Sequence, residues 1–452
     1  MEELSIFDFL PPQEVVSPPF MRSAKVLSLF DGMACGMLAM LSAGVTIDRY
    51  VAYEIDKYAV KTSAHNFPNI EHRGDVFDAD FTEFAGFDWL VGGSPCTYWS
   101  IAQKNNRETE ASGMGWELFS QYVRALREAK PLFFIYENNK SMSKAIRQSI
   151  TETFGFEPIC INSSLVSAQN RQRMYWVGRR NVDGTYSKVE IEQPEDRWIL
   201  LRDILASGER IPPYGNGEKA RPICALYPNN CGGFVHRMFS DNPNKQQVDM
   251  VAEPVGVGYR GRLDNGKWVK QYESNGTEKA NALTTAQTDS MVAEPCRVGC
   301  LPSPDGTVRN SQAMRIYSAD GKSVNLTSQG GGLGAKTGLY AVSCKPPYAT
   351  ACEWDEYGNP IKAVSAADGK THTVYEVKDG KITIKGKQYP IKLLDGFYII
   401  RKLTVLECMR LQTVPEWYEF PVSDSQAYKM LGNGWTVEVI SHLVKGALKC
   451  SI

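Results

Sequence analysis

The sequence predicts an α/β fold in which helices cover both faces of a parallel sheet. From Lys25 onward, short apolar runs alternate with segments of helical character; the runs are KVLSLF, YVAYEI, DWLVGG and PLFFIYEN. Continuous apolar strands are typical of parallel sheets, because both faces of each strand are buried. Residues 117–129 predict one of the intervening helices, since apolar residues recur there at helical spacing and Pro131 lies just beyond.

Changes in composition divide the chain into four predicted segments. Residues 1–22 are rich in proline and have no clear period, which predicts a flexible leader. Residues 23–180 form the first part of the α/β domain, and residues 397–452 complete it. Residues 181–396 are rich in glycine, asparagine, serine and threonine and lack long helical periods, so they predict a large β-rich insertion.

Two further patterns organise the second half of the chain. MVAEPVGVG at 250–258 recurs as MVAEPCRVG at 291–299, and ANALTTAQ at 280–287 resembles VNLTSQ at 324–329. The spacings of the two pairs are similar, which predicts a duplicated β-rich unit within the insertion. After it, RKLTVLECMRLQ and QAYKMLGNGWTVEVISHLVKGAL each predict an amphipathic helix.

The composition limits the classes of protein that this chain can represent. The 50 basic and 51 acidic residues nearly balance, so any phosphate-binding face has to be local. The 11 cysteines form no CxxC pair, which favours reduced thiols over a metal site or a disulfide framework. No secretory signal opens the chain, and no apolar run is long enough to span a bilayer. We therefore expect a cytoplasmic monomer without a metal or a membrane partner.

The first motif with chemical meaning is KVLSLFDGMACG at 25–36, a strand that leads through a turn into a helix. Glycine lets a backbone approach a ligand closely, and a helix N-terminus offers free N–H groups. Only Gly32 and Gly36 are present, so the GxGxxG dinucleotide fingerprint is absent. Glycine also occurs in such turns for packing alone, so this motif does not identify a ligand by itself.

Two acids after the next strands strengthen this pattern. Glu54 ends the strand YVAYEI, where a carboxylate can accept hydrogen bonds from both ribose hydroxyls, and Asp75 follows a third short unit, where it can bind an adenine amino group. A lone acid after a strand is more often a helix cap. Three ligand-type positions after three successive strands favour a nucleoside pocket, because ligands gather at the carboxyl ends of such sheets.

Cys96 is the candidate nucleophile. It lies in WLVGGSPCTYWS, where a strand ends in two glycines and Pro95 restricts the backbone just before the thiol. A small buried thiol in a tight turn is the commoner fate of an unpaired cysteine. A rigid turn at the carboxyl end of a strand would instead present the thiol to a cleft, as covalent catalysis requires.

Two later segments carry polar groups with matching chemistry. Glu137 ends the apolar strand FFIYEN, where an isolated carboxylate is costly and burial favours its protonated form, so it is suited to donate a proton. The segment SAQNRQRMYWV alternates Gln169, Arg171 and Arg173 with other residues, so in a strand all three would face one way. Solvated edge strands alternate in the same manner, but two arginines beside a glutamine also suit binding of an oxyanion or a base edge.

Taken in order, these motifs resemble the DNA cytosine-5 methyltransferase family. FDGMACG, GGSPC, ENN, QNRQR, RKLTVLECMRLQTVP and LGNGWTV cover residues 25–180 and 398–447 at the family's approximate spacing. SLFDG and GGSPC look similar to the vertebrate de novo DNA methyltransferases and to their phage and bacterial relatives. The resemblance implies a Rossmann-like, S-adenosylmethionine-dependent methyltransferase fold, with residues 181–396 as the target-recognition domain for double-stranded DNA.

The resemblance also implies a mechanism and a set of site residues. Cys96 would attack C6 of a flipped-out cytosine, Glu137 would protonate or hydrogen-bond N3, and Arg173 would contact the carbonyl oxygen, with Arg171 as a further catalytic candidate. The implied contacts to S-adenosylmethionine come from the early loops and the late motif: Phe30, Asp31, Gly32, Gly36, Glu54, Ile55, Asp75, Val76, Gly93, Pro95, Asn433 and Trp435.

The sequence departs from the family pattern after the nucleophile, and three other interpretations are weighed separately from this departure. Thr97-Tyr98-Trp99 follows the nucleophile where many members have Gln and Phe, and this bears on the shape of the base pocket. An RNA cytosine-5 methyltransferase is disfavoured by the long insertion. A catalytically inactive DNA-binding relative is disfavoured by the intact Cys96 and Glu137. A Rossmann-like oxidoreductase is disfavoured by the missing GxGxxG and the presence of GGSPC.

Overall fold

The computed structural model describes residues 23–100, 107–205, 257–264, 267–274, 297–302, 308, 314–319, 322–326, 339–344 and 348–449. The predicted leader and most of the predicted repeat lie outside these residues. The chain forms two compact units, one of Met1–Gly208 with Pro295–Ile452 and one of Glu209–Glu294. The predicted insertion, 181–396, is therefore shared between both units, and its boundaries stay a prediction.

The first unit contains a sheet of eight strands in the order β3-β2-β1-β4-β5-β7-β6, with β8 paired to β7. Neighbouring strands from β3 to β5 are parallel, whereas β7 runs antiparallel to both β5 and β6. The four predicted apolar runs form β1, β2, β4 and β5, so the predicted parallel sheet is confirmed. The strands are β1 (Ala24–Leu29), β2 (Ile47–Tyr53), β3 (Glu71–His72), β4 (Trp89–Gly92), β5 (Phe133–Asn139), β6 (Ile159–Asn162), β7 (Gln172–Arg180) and β8 (Tyr186–Lys188).

Helices cover both faces of this sheet. Val26 of β1 packs in one apolar cluster with α1 and α8, and the next residue, Leu27, packs in another with α3 and α4. Burial on both faces is the reason that these strands are continuous apolar runs in the sequence. The described helices are α1 (Cys35–Ser42), α2 (Lys57–Asn66), α3 (Gly113–Ala129), α4 (Lys144–Phe154), α5 (Leu201–Ile204), α6 (Val405–Leu411), α7 (Asp424–Asn433) and α8 (Val437–Lys449).

Helix α3 begins four residues before the predicted start at residue 117. The carboxylate of Glu108 accepts the N–H group of Gly115 at 3.2 Å, which satisfies one of the free donors of the first helical turn. A carboxylate at a helix N-terminus is also favourable because of the helix dipole. The extra turn thus depends on Glu108, which precedes the helix, and the apolar periodicity of the helix itself does not predict this contact.

The predicted C-terminal helix is wrong in one respect, because it is two helices. Helix α7 ends at Asn433 and α8 begins at Val437. Between them Gly434 takes an extended backbone (φ −64°, ψ 167°), and its N–H still closes the last turn on the carbonyl of Met430 at 2.7 Å. The apolar period continues through the break because both helices pack on the same core. At the break, the buried side chains of Arg171 and Gln412 donate hydrogen bonds to the carbonyl of Gly434.

The insertion is β-rich, as predicted. Within the first unit it contributes to a second sheet in the order β11-β12-β13-β19-β16-β15-β14, with β17 paired to both β16 and β18. In the second unit the structure describes one antiparallel pair, β9 (Val257–Asp264) and β10 (Lys267–Ser274). The strands of the second sheet are β11 (Arg297–Cys300), β12 (Arg315–Ser318), β13 (Leu339–Ser343), β14 (Ala349–Trp354), β15 (Pro360–Ser365), β16 (Thr371–Lys378), β17 (Lys381–Ile384), β18 (Lys387–Pro390) and β19 (Gly396–Arg401). Among the described helices, none is long and apolar enough to cross a membrane.

Candidate active site

The strand order places the predicted site residues at one edge of the sheet. Strand β1 lies between β2 and β4. The strands that follow β1 in sequence, β2 and β3, lie on one side of it, and the later strands β4 and β5 lie on its other side. Such a switch point leaves a crevice beyond the carboxyl ends of the strands, where ligands bind in open α/β sheets. The loops after β1, β2, β4 and β5 all open at this edge, and they carry most of the predicted residues.

The loop after β1 has an unusual backbone. Phe30, Gly32 and Ala34 have φ values of 56°, 59° and 60°, a region that residues with a Cβ seldom adopt. For a bulky residue such as Phe30 this conformation costs energy, which the surrounding structure has to offset. Gly36, in α1, is required by a close approach, because a Cβ there would lie 2.7 Å from the hydroxyl oxygen of Tyr50. Strained loops of this kind are concentrated at binding sites.

Asp31 lies buried in this loop. Its Oδ1 accepts hydrogen bonds from the hydroxyls of Ser28 at 2.6 Å and Tyr50 at 2.7 Å, whereas its buried Oδ2 has no partner in the described part of the chain. Desolvation raises the pKa of Asp31 to about 6, because burial disfavours the charged form. A buried oxygen without a partner is costly, so Asp31 fits an occupant that is positively charged or donates a hydrogen bond.

The two predicted acids lie at the ends of the next two strands. The Glu54 carboxylate accepts the backbone N–H groups of Gly32 at 2.8 Å, Ile55 at 2.9 Å and Asp56 at 2.8 Å, which joins it to the loop after β1. Ile55 beside it is exposed. One further lone pair, on Oε2, is left for a ligand hydroxyl.

Asp75 follows β3, and it does cap a short 3₁₀ turn. Its Oδ1 accepts the N–H group of Phe77 at 3.0 Å, while Val76 between them is buried. The cap uses only one carboxylate oxygen, so capping and ligand binding are compatible at this position. Ile55 and Phe77 are both exposed apolar side chains beside these acids.

Cys96 begins a 3₁₀ turn after β4. Its carbonyl accepts the N–H groups of Trp99 at 3.1 Å and Ser100 at 2.9 Å, and the side-chain amide of Asn139 at 3.4 Å. Pro95, just before it, is exposed. Cys96 itself is half-buried, unlike a thiol enclosed in the core. These hydrogen bonds hold the turn through the Cys96 carbonyl and do not involve the thiol.

The residues that depart from the family after Cys96 anchor this turn. Trp99 is fully buried, and its indole N–H donates to Oε2 of Glu108 at 3.0 Å. Arg107 donates to the Trp99 carbonyl at 3.1 Å, and Tyr98 packs half-buried against the same apolar cluster as Trp99. The side chain of Trp99 therefore belongs to the core beneath the turn and does not line a pocket.

Glu137 is held by two donors from different parts of the chain. Nε of Arg173 on β7 lies 3.0 Å from its Oε1, and the indole Nε1 of Trp435 donates to its Oε2 at 2.9 Å. The side chains of Glu137 and Arg173 are each only 12% exposed, so solvent screens this ion pair weakly. Gly93 is needed here, because a Cβ at that position would lie 2.8 Å from Glu137 Oε2.

The predicted row of Gln169, Arg171 and Arg173 is not a single strand. Strand β7 begins at Gln172, so only Arg173 lies on it and reaches Glu137. Arg171 is buried and binds carbonyl groups of other segments, and Gln169 is buried with neither side-chain atom hydrogen-bonded to any residue that the structure describes. The segment before β7 instead pairs with Ser323 of the insertion through a parallel bridge. Because of these contacts with the insertion, the side chains of Gln169, Arg171 and Arg173 do not alternate as they would in one continuous strand.

Some residues of the site were not predicted. Tyr50 and Ser28 bind Asp31, and Asn139 binds the carbonyl of Cys96. They lie within the runs SLFDG, YVAYEI and ENN, but these runs do not indicate the hydrogen bonds that each residue makes, because those bonds depend on tertiary contacts. Asn433, which was predicted, is exposed at the end of α7. Within the described ranges, no group of three or more His, Cys, Asp or Glu residues is arranged to hold a metal ion.

Fold and site together define a Rossmann-like α/β enzyme with a thiol, a carboxylate and an arginine beside the carboxyl ends of strands β4 and β5. The model of the family "C-5 cytosine-specific DNA methylase" matches residues 24–449, and the chain belongs to this family. It is a DNA (cytosine-5-)-methyltransferase, as the sequence motifs predicted.

Curated relatives cover nearly the whole chain. The orphan methyltransferase M.Rho11sI of Bacillus phage rho11s is 25% identical over 526 residues, covering 94% of this chain and 98% of that protein. The orphan methyltransferase M.SPRI of Bacillus phage SPR is 26% identical over 470 residues, covering 94% and 97%. The solved structure of the S. pombe Dnmt2 methyltransferase covers 95% of this chain and 99% of its own, at 13% identity and a TM-score of 0.48.

Proposed function

We propose that this chain methylates C5 of cytosine in double-stranded DNA, with S-adenosylmethionine as the methyl donor and Cys96 as a covalent nucleophile. The observation that carries this proposal is the Glu137 carboxylate, held by Arg173 and Trp435 beside the turn of Cys96. A base inside a duplex cannot reach groups in such a crevice, so the target cytosine has to leave the helical stack.

The chemistry explains why a thiol and a carboxylate are needed together. The Cys96 thiolate forms a bond to C6 of cytosine, and the electron pair of the C5–C6 double bond becomes available at C5. Glu137 stabilises this change by holding a proton at N3, while Arg173 binds the carbonyl oxygen of the ring. Once C5 is methylated, its proton passes to solvent water and the C–H electron pair restores the C5–C6 double bond. The C6–S bond then breaks, Cys96 leaves as the thiolate, and the proton at N3 returns to Glu137.

S-adenosylmethionine fits the residues beyond the carboxyl end of strand β1. Bound there, it supplies a methyl group on a positively charged sulfur. The buried Oδ2 of Asp31, which has no partner among the described residues, and the close approach at Gly36 suit its methionine portion. Glu54 would hold the ribose and Asp75 the adenine, at the ends of the neighbouring strands β2 and β3.

The decisive experiment traps the covalent intermediate. The wild-type protein is incubated with S-adenosylmethionine and a duplex pool of random sequence that contains 5-fluorocytosine. Fluorine cannot leave C5 as a proton does, so we expect an adduct that survives denaturing electrophoresis. Absence of the adduct across the whole pool would contradict the proposal, and sequencing of the trapped DNA would identify the target site.

The β16–β18 region supplies a candidate contact to the DNA backbone. Two-residue turns at Asp379-Gly380 and Lys385-Gly386 join the three strands, and both residues of each turn have positive φ, as tight hairpins require. One face is buried through Ile382, beside Val377 and Ile391. Exposed lysines are dense around these hairpins, with five within fifteen residues of chain: Lys378 and Lys381, which face each other on the side away from Ile382, and Lys385, Lys387 and Lys392.

These lysines form a local positive patch on a chain whose net charge is −1. Among the described residues none of the five takes part in an ion pair, although 51 acidic residues are present in the chain. Unpaired lysines on a firm hairpin can neutralise phosphates and release counterions, which drives sequence-independent binding to DNA. We therefore propose that the phosphate backbone of the duplex binds at these lysines.

Removing three of these charges is expected to weaken DNA binding uniformly. In the variant Lys381→Gln, Lys385→Gln, Lys387→Gln, the slope of log affinity against log salt should become shallower by about 0.9 for each phosphate that the protein no longer neutralises. The measurement is duplex binding at several salt concentrations, with cognate and unrelated sequences. The control variant Lys61→Gln, Lys144→Gln, Lys449→Gln removes the same charge from exposed positions outside the insertion. Equal slopes in the two variants would refute this placement.

A further inference from the structure

Trp435 lies at the break between α7 and α8 and reaches into the active site. Its indole N–H donates to Oε2 of Glu137 at 2.9 Å, while Arg173 occupies Oε1. A carboxylate turns easily about its last side-chain torsion, which has no sharp minima. One donor leaves that rotation open, whereas two donors, one on each oxygen, restrict the plane of the carboxylate.

We propose that Trp435 is a positioning residue for Glu137, and that Arg171 acts through the turn that carries Trp435. This inference rests on the proposed role of Glu137 at cytosine N3. Each carboxylate oxygen has two acceptor positions. With one position of each oxygen taken by Trp435 or Arg173, the remaining ones are fixed in direction, and they are available to the target base.

The backbone of the turn is held by buried side chains. Arg171 donates to the carbonyl of Gly434 at 2.8 Å and to that of Gly432 at 3.2 Å. Gln412 donates to the Gly434 carbonyl at 3.2 Å and accepts the hydroxyl proton of Thr436 at 2.8 Å. The residues on both sides of Trp435 are thus bound, which fixes the backbone from which its indole extends toward Glu137.

Arg171 also joins this turn to the insertion. Its guanidinium donates to the side-chain oxygen of Asn325 at 2.8 Å and to the carbonyl of Leu326 at 3.3 Å. Burial lowers its pKa to about 10, so it stays charged at neutral pH and its hydrogen bonds are charge-assisted. These four oxygen partners match the fork of a guanidinium, which a lysine ammonium cannot reproduce. The structure assigns Arg171 to holding Gly434 and not to contact with substrate.

A second role for Trp435 has to be separated from this one. A Cβ added at Gly36 would lie 3.7 Å from the ring atom Cζ3 of Trp435, so the same indole borders the loop that we assign to the cofactor. If Trp435 only lined that pocket, its loss would weaken cofactor binding and leave the position of the Glu137 carboxylate unchanged. The two roles therefore differ in which measured quantity changes.

Trp435→Phe keeps an aromatic ring and removes the N–H donor. We expect kcat and the rate of 5-fluorocytosine adduct formation to fall about tenfold, as for loss of a hydrogen bond to a charged group. KM for DNA and the calorimetric Kd for S-adenosylhomocysteine should stay within about twofold of wild type. Trp176→Phe is the matched control, because that buried indole donates to Thr151 and not to Glu137.

An NMR measurement tests the contact without any turnover. The chain has nine tryptophans, and the indole N–H signal absent from Trp435→Phe identifies Trp435. This signal should shift in Glu137→Gln and in Arg171→Lys, and stay in place in Glu438→Gln. An unshifted signal in Glu137→Gln overturns the proposal, as does an unchanged kcat with weakened cofactor binding in Trp435→Phe. Failure of the proposed function is distinct, since the wild type itself would then form no adduct.

Discussion

Replacing Cys96 with alanine is expected to lower methyl transfer at least about 10³-fold and to abolish the 5-fluorocytosine adduct. The reason is that, in the proposed mechanism, the Cys96 thiolate alone supplies the bond to C6 that makes C5 reactive. The turn should survive the change, because its hydrogen bonds use the Cys96 carbonyl and not the thiol. Single-turnover transfer of a labelled methyl group to duplex DNA measures the effect.

Cys160→Ala is the control for loss of a thiol. Cys160 lies on β6, and burial raises its pKa, so it is a poor nucleophile. This variant should form the adduct at the wild-type rate. An adduct that persists in Cys96→Ala, or one that disappears in Cys160→Ala, would place the nucleophile elsewhere. Duplex binding should be nearly equal in all three proteins, which separates chemistry from affinity.

Replacing Glu137 with glutamine is expected to reduce kcat by about 10²- to 10⁴-fold. The amide has nearly the same shape but cannot exchange a proton with N3. It also turns an N–H group toward either Arg173 or Trp435, both of which are donors in the structure. The measurement is single-turnover methyl transfer at saturating DNA and cofactor, with adduct formation followed in parallel.

Glu438→Gln provides a matched control for this substitution. The side chain of Glu438 is 8% exposed and pairs with Arg197 at 3.0 Å, so it is also a buried carboxylate bound to an arginine. It lies on α8, outside the proposed site. We expect its kcat to stay close to wild type. If Glu137→Gln also kept kcat within about threefold, proton donation at N3 would have to come from another group.

Much of the scaffold could be predicted from the sequence. Strands β1, β2, β4 and β5 are confirmed because a strand buried on both faces has to be apolar throughout, and this is visible in the residues themselves. The β-rich insertion is also confirmed, but on different evidence, namely its glycine-, asparagine-, serine- and threonine-rich composition and its lack of long helical periods. The boundaries and continuity of helices were harder to predict. Helix α3 begins early because of Glu108, and the last predicted helix is interrupted at Gly434.

The residues of the site were also only partly predictable from the sequence. Cys96, Glu137 and Asp31 each lie at or just after the end of a strand, and parallel strands bring their carboxyl ends to one edge, so their proximity follows from the topology. The equivalence of Gln169, Arg171 and Arg173 does not follow. Their alternating spacing predicts that all three side chains face the same way. In the structure, however, the segment before β7 pairs with the insertion, and Arg171 is buried in the protein interior.

The sequence by itself determined the apolar strands, the order of the motifs and the chemical groups available at the edge of the sheet. These properties are local, because each depends on residues within a few positions of one another. Only the tertiary structure decided that Trp435 holds Glu137, that Arg171 holds the Trp435 turn, and that Trp99 anchors the Cys96 turn. The Glu137–Trp435 contact joins atoms 298 residues apart, and hydrogen bonds at such separations depend on packing that no local pattern encodes.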